Sequence, residues 1–174
     1  MTKGLSKRSR APRIESLIQQ ARGGDTSAAC SVGYAYDVGV GIRRNEREAL
    51  RWYRRAYRDG SSTAANNIST IYRDRREFRR SFQWMTRAVR LGDGDAAVTV
   101  GYRAQYGIGT RKNIALARRI FRRAMRSKDI TGYGREEAMY HMALTYLDEE
   151  KREQALPLLR RASVDRDYPE AQSC

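Results

Sequence analysis

Apolar and polar positions along this 174-residue chain recur with a helical period, and the pattern is written four times. Take Ala56, Ala88, Ala124 and Ala162 as anchors. Four residues before them stand Trp52, Trp84, Ile120 and Leu158; three before stand Tyr53, Met85, Phe121 and Leu159; seven before stand Ala49, Ser81, Ala117 and Ala155. Offsets of three, four and seven lie on one face of a helix. A second series, Ala28, Ala64, Ala96 and Ala138, is followed four residues later by Val32, Ile68, Val100 and Met142 and eight later by Tyr36, Tyr72, Ala104 and Tyr146. It predicts a second amphipathic helix upstream of the first. Each unit therefore reads helix A, turn, helix B, and repetition at this length predicts stacked helical hairpins.

The distance between the two anchors of a unit takes only two values. Ala28 to Ala56 and Ala96 to Ala124 are 28 residues each, whereas Ala64 to Ala88 and Ala138 to Ala162 are 24 each. The longer units carry Gly39-Val40-Gly41 and Gly107-Ile108-Gly109 between their helices, where glycine reaches the left-handed conformations a helix end needs. Asn45 and Asn113 follow as N-caps of helix B, and Glu48 is placed to complete a capping box with Asn45. Units one and three thus have an extended loop; units two and four have a tight turn. Pro157 falls near the first turns of the last helix B and predicts a local bend rather than a stop.

Upstream, Ile14, Leu17, Ile18 and Ala21 run into Gly23-Gly24 and predict a short capping helix. Between units three and four, Ala124 and Ala138 are 14 residues apart where the other units have 8, so Ser127–Gly134 holds an insertion, read as a tolerated surface bulge or a binding loop. At the far end, Tyr168-Pro169-Glu170-Ala171-Gln172 opens a further helix A that the chain does not complete. That edge is read either as a self-association surface or as a frayed tail.

Unit one, with Val32-Gly33, Tyr36, Gly39-Val40-Gly41-Ile42, Ala49, Trp52-Tyr53, Arg55-Ala56 and Gly60, resembles the Sel-1-like repeat (SLR), a cousin of the tetratricopeptide repeat (TPR). Unit three keeps Val100-Gly101, Gly107, Gly109, Ala117 and Ala124 but replaces the Trp-Tyr pair with Ile120-Phe121; units two and four lean toward the tetratricopeptide pattern. The resemblance implies an all-α fold, a right-handed α-solenoid of about four helix-turn-helix SLR/TPR-like repeats. Its expected divisions are a basic, disordered arm over 1–13, a capping helix over 14–24, repeats over about 25–60, 61–94, 95–134 and 135–167, and a partial fifth repeat over 168–174. One domain of ordinary size accommodates all of this.

Charge sharpens the reading of function. Lys+Arg 35 against Asp+Glu 20 gives +15, which favours an anionic partner. Lysine stands only at 3, 7, 112, 128 and 151, leaving 30 arginines, whose planar forks suit carboxylate and phosphate. Codon usage would explain the choice of arginine, though less easily the net charge. Arg54, Arg55, Arg87, Arg122, Arg123, Arg160 and Arg161 fall just before the helix B anchors and predict a basic ridge. Arg51, Arg58, Arg90, Arg118, Arg119 and Arg126 add to it. A solvated outer face is the plainer reading of the same column, in which basic residues are usual for the family.

The concave face, lined by helix A, is the usual docking surface in tetratricopeptide-like arrays. Here it presents a strip of aromatic and small polar residues, from which Tyr34, Asn67, Tyr102, Tyr140 and His141 are expected to meet a partner. Val98 and Leu144 on the same strip are read as packing residues. Catalytic chemistry is not indicated. His141 is the sole histidine, Cys30 and Cys174 are distant from it, and no catalytic set, metal site or cofactor motif is spelled out. Gly92-Asp93-Gly94-Asp95 lacks the later acidic ligands of a calcium loop and reads as an inter-repeat turn. No apolar run approaches the ~18 residues of a membrane span and no leader pattern follows the basic N-terminus, which places the protein in the cytoplasm.

The expected function is a non-enzymatic scaffold, adaptor or inhibitor for a protein with an acidic patch. A bacterial immunity protein that neutralises a cognate toxin is one concrete form implied by the resemblance. The alternative is an RNA- or DNA-binding protein that uses the arginine ridge, and association with anionic membranes is a third reading.

Overall fold

The computed structural model describes residues 11–162, which form nine α-helices and no strand. They are α1 (Ala11–Arg22), α2 (Thr26–Val38), α3 (Glu46–Arg58), α4 (Ser62–Asp74), α5 (Phe78–Arg90), α6 (Gly94–Tyr106), α7 (Ile114–Met125), α8 (Gly132–Leu147) and α9 (Arg152–Ala162). The basic run through residue 10 and the partial fifth repeat at 168–174 lie outside the described residues. Two compact units divide the chain within α4, at residues 1–70 and 71–174. In the first, α2 packs on both α1 and α3. In the second, α6 pairs with α7 and α8 with α9, while α6 also packs on α5 and α8 packs on both α6 and α7. This is an all-α repeat fold.

All eight anchor alanines are buried, none more than 4 % exposed. A methyl group is what fits where helices approach closely. Beside it, side-chain volume is traded across each hairpin. A Cβ added to Gly33 would lie 2.6 Å from the Tyr53 ring, and one added to Gly101 would lie 2.5 Å from the Phe121 ring. Unit four achieves the same fit with smaller steps, placing Ala143 against the buried Leu159 in one cluster. The residues four before each helix B anchor, Trp52, Trp84, Ile120 and Leu158, are half-buried, whereas three before Tyr53, Phe121 and Leu159 are fully buried and Met85 is half-buried.

One backbone hydrogen bond closes every hairpin, whatever the length of its loop. The N–H groups of Asn45, Glu77, Asn113 and Lys151 donate to the carbonyls of Tyr36, Tyr72, Ala104 and Tyr146 at 2.8, 2.8, 2.8 and 2.9 Å. The four-residue difference between the two unit types is thus confined to the loop inside that bond. In the longer loops, Gly39 and Gly107 take left-handed conformations (φ 80° and 75°), and their N–H groups cap Ala35 and Arg103. The short turns use the same hand without glycine, at Arg76 (φ 61°) and Glu150 (φ 59°). An L-residue there costs roughly 1–2 kcal/mol, a cost the absence of glycine in the sequence did not signal.

Asn45 caps α3 through the N–H groups of Arg47 and Glu48, and Asn113 caps α7 through that of Leu116. The expected capping box is not formed. The Asn45 N–H that Glu48 would have received is already bound to Tyr36, and the Glu48 carboxylate instead lies 3.7 Å from Arg51. Asp93 caps α6 by accepting from Ala96, consistent with a turn at Gly92–Asp95. Helix α9 continues through Pro157.

The insertion before unit four begins as a short non-helical segment over 127–131 that is anchored at its end to the core. Its last residues add a turn to α8, capped by Thr131, which accepts from the Gly134 N–H. Ile130 is buried in the cluster that holds Ala97, Phe121 and Met142. Gly94 makes room for it, since a Cβ there would sit 2.8 Å from Ile130. The Thr131 backbone N–H and hydroxyl both donate to Asp95, at 3.2 and 2.9 Å, and fasten the segment to α6. Among the described residues, no helix is long and apolar enough to cross a membrane.

Candidate partner-binding site

The expected concave-face residues separate into two groups, one in each unit. In the first unit, Tyr34 and Asn67 line a groove of about 790 Å³ with Cys30, Ser31 and Ala35 of α2 and Thr63 of α4. The helical repeat produces this directly, because residues 30, 31, 34 and 35 share one face of α2. Ile14 and Leu17 of α1 and Val40 and Gly41 of the glycine loop complete the wall. Sequence reasoning assigned these four to a cap and a turn; the signal for Val40 is an apolar residue between two loop glycines. Tyr34 is 55 % exposed and forms the rim. Deeper, the Asn67 amide donates to Cys30 Sγ at 3.9 Å. Burial pushes the Cys30 thiol above its ordinary range, while hydrogen bonds from Ser61 and Asn67 oppose that. Burial thus favours the neutral thiol in the groove wall.

In the second unit, Tyr102, Tyr140 and His141 meet in one aromatic cluster. The His141 ring lies 5.0 Å from Tyr102, 5.5 Å from Tyr140 and 6.1 Å from Phe121, and Tyr106 adds a further ring 4.8 Å from Tyr102. Tyr102 and Tyr106 are one turn apart on α6 and both exposed, so the cluster presents an aromatic surface backed by core. Tyr106 was missed, although its spacing of four from Tyr102 places it on the same face. Val98 is buried, as a packing residue should be.

His141 is held by packing. Its Nδ1 has no hydrogen-bond partner among the described residues, and Nε2 is 3.9 Å from Glu137. Burial lowers its pKa below 6.5. The sign of the linkage follows: as pH falls through 6.5, the unfolded chain takes up the proton before the folded one, and folding stability declines. Unfolding by urea, compared between the native chain and His141→Gln, should show a loss of stability below pH 6.5 that is smaller in the variant.

The arginine column is not uniform. Arg54, Arg122, Arg123, Arg160 and Arg161 are exposed, whereas Arg55 and Arg87 are half-buried and lie over the rings of Trp52 and Trp84, at 5.7 and 4.2 Å. A guanidinium over the indole one turn earlier is a packing arrangement as much as a charged surface. Arg118, counted with the ridge from sequence, turns inward. Its Nε donates to Thr145 Oγ1 at 2.8 Å, its Nη2 donates to the Thr145 carbonyl, Glu149 is 3.0 Å away, and Tyr146 lies under it at 4.1 Å. Arg103, on α6, is also buried and donates to Ser81 Oγ at 2.8 Å. Both are polar residues in an otherwise apolar register, which makes them ties between helices rather than ligand contacts. Among the described residues, no group of three or more His, Cys, Asp or Glu side chains is placed to hold a metal ion.

Comparison with known proteins bears on this geometry. A family model described as the Sel1 repeat matches residues 26–61, 72–93 and 94–129, together 94 of the 174 residues. Among solved structures, c5321, a protective antigen of uropathogenic Escherichia coli displaying an SLR fold, superposes with a TM-score of 0.76 at 22 % identity, over 90 % of this chain and 34 % of its own. The chain thus spans about a third of that protein's length. A Sel1 repeat protein from Oxalobacter formigenes superposes with a TM-score of 0.75 at 21 % identity, over 98 % of this chain and 70 % of its own. YrrB, a TPR protein with an unusual peptide-binding site, does so with a TM-score of 0.50 at 18 % identity, over 92 % of this chain and 97 % of its own.

Proposed function

The chain belongs to the Sel1 repeat family, and from that premise we propose that it is a non-catalytic scaffold whose first-unit groove docks a protein partner. Sel1 and tetratricopeptide-like repeats typically mediate protein–protein interaction. The observation that carries the reading is the groove itself, an opening of about 790 Å³ with an aromatic rim at Tyr34 and an amide at Asn67. An apolar recess with a few polar groups is suited to anchoring one or two partner side chains. YrrB, a TPR protein with an unusual peptide-binding site, has a similar fold and supports the reading. Tyr102, Tyr140 and His141 extend the same role to the second unit.

The partner we propose has an acidic surface. A net charge of +15 would steer such a protein and raise the rate of encounter. A cytoplasmic immunity protein that covers a cognate toxin is one form of this reading. Alanine at Tyr34 together with Asn67 should lower recovery of the bound protein from the source cell by about tenfold or more, with helicity and unfolding midpoint unchanged. Undiminished recovery would rule out the groove. A second reading rests on the five exposed ridge arginines, which would bind nucleic acid. That reading requires affinity to fall steeply with salt and recovery to be lost on nuclease treatment.

A further inference from the structure

We propose that the first unit also carries an anion socket that takes a phosphate monoester borne on a small molecule. It is a cavity of about 480 Å³ between α1, α2 and α3, and it shares no lining residue with the docking groove. Arg22 of α1 and Arg51, Arg55 and Arg58 of α3 surround it, with Trp52 and Tyr36 in the wall. Spacing explains the convergence on α3. Residues 51, 55 and 58 fall on one helical face, and Arg22, at the end of α1, is brought to it by the capping helix.

Charge in the socket is unbalanced. Glu48 is its one carboxylate, and Arg51 already lies 3.7 Å from it, so the lining carries three positive charges in excess. Elsewhere Arg118 faces Glu149 and Arg80 faces Glu77. Arg22 and Arg58 have no carboxylate partner among the described residues. Arg55 is fixed from two sides, donating from Nη2 to the Arg22 carbonyl at 3.1 Å and lying 5.7 Å over the Trp52 ring. One guanidinium is therefore held in place, and the exposed side chains of Arg22, Arg51 and Arg58 border the same recess, where an anion would meet them.

The excess selects among anions. A carboxylate brings a single charge and two oxygens, which leaves guanidinium charge uncompensated. A phosphate monoester brings a charge near −2 and three acceptor oxygens, which planar forks arriving from different helices can share. A phosphodiester strand has one charge per phosphate and runs along a surface, whereas this site is a recess. Trp52 and Tyr36 provide flat apolar wall for the remainder of the ligand, so the class favoured is a phosphate monoester with an aromatic or sugar group, as in a nucleotide.

The test uses the full chain with Trp84→Phe, which leaves Trp52 as its sole tryptophan of the original two. Inorganic phosphate, phenyl phosphate, benzoate and an RNA oligomer with a 5′-hydroxyl end are titrated at constant ionic strength. Trp52 emission and calorimetry are read together, so that binding without a spectral change is still seen. Saturable millimolar or tighter binding of phosphate and phenyl phosphate is expected, with benzoate weaker by at least about tenfold. Arg58→Gln and Arg51→Gln should each weaken phenyl phosphate binding by about tenfold while the unfolding midpoint stays in place. Absence of saturable binding, equal binding of benzoate, or indifference to both substitutions would overturn the proposal. Tighter, arginine-dependent binding of the RNA oligomer would overturn it in favour of a nucleic-acid surface.

Discussion

Replacing Phe121 with alanine is expected to lower the unfolding free energy by about 3–5 kcal/mol, read from urea denaturation. Phe121 is fully buried, packs with Ala97, Ala117, Ala124 and Met142, and fills the space left by Gly101 on the facing helix. The cavity would open in the middle of a hairpin held from both sides, where collapse is hindered. The volume trade makes a sharper test available. Gly101→Ala alone drives a methyl to 2.5 Å from the ring and should cost about 1–3 kcal/mol by overpacking. Combined with Phe121→Leu it reproduces the Ala143 and Leu159 pairing of unit four, so the double variant should lose less than the two single losses together.

Gly109→Ala should be nearly as damaging, at about 2–4 kcal/mol. Two costs coincide at this residue. Its φ of 72° is left-handed, and a Cβ would lie 2.1 Å from the Phe78 carbonyl oxygen, a backbone atom with no rotamer to change. The loop would have to withdraw from the start of α5. Gly132→Ala is the contrasting case, since nothing lies within 4 Å of its Cβ position and its φ is not left-handed. There the substitution should be neutral or stabilising by up to about 1 kcal/mol, because alanine restricts the unfolded chain. Thermal unfolding of the two variants side by side distinguishes a glycine required by its contacts and backbone from one required by neither.

Features that repeat at fixed offsets were legible in the sequence. The alanine anchors, the deep column containing Tyr53, Phe121 and Leu159, the two loop lengths and the asparagine caps depend on local periodicity or on residue types with few conformational options. Features set by the neighbouring helix were not. Ile130 reads as part of an insertion because nothing local shows that Gly94 leaves it a socket. Arg118 was grouped with the surface arginines, although it stands where the other units carry Leu50, Phe82 and Leu156, and Thr145 and Glu149 on the next hairpin turn it inward. Arg76 and Glu150 accept a left-handed backbone because closing the short hairpin bond requires it, although neither residue type favours it.

The candidate site shows the same division. Tyr34 and Asn67, singled out from their place on helix A, share one groove wall, and Tyr102, Tyr140 and His141 share one aromatic cluster. The groove's other wall comes from Ile14 and Leu17, whose apolar spacing announces only that α1 buries a face. That the same side chains also border an opening is a property of how α1 meets α2. Within the arginine column, Arg55 and Arg87 rest on Trp52 and Trp84, three residues earlier, where Arg123 and Arg161 have Ile120 and Leu158 and are exposed.

Photo-crosslinking tests the groove most directly. A benzophenone-bearing residue placed at Tyr34, and in a control at Tyr133, compares two tyrosines of nearly equal exposure, 55 % and 51 %. In the source cell, the Tyr34 position should yield a discrete protein adduct that survives nuclease and is lost when Asn67→Ala is added, while the Tyr133 position yields none. An equal adduct from both positions, or an adduct from Tyr34 that nuclease removes, would contradict the assignment of the first-unit groove as a protein-docking site.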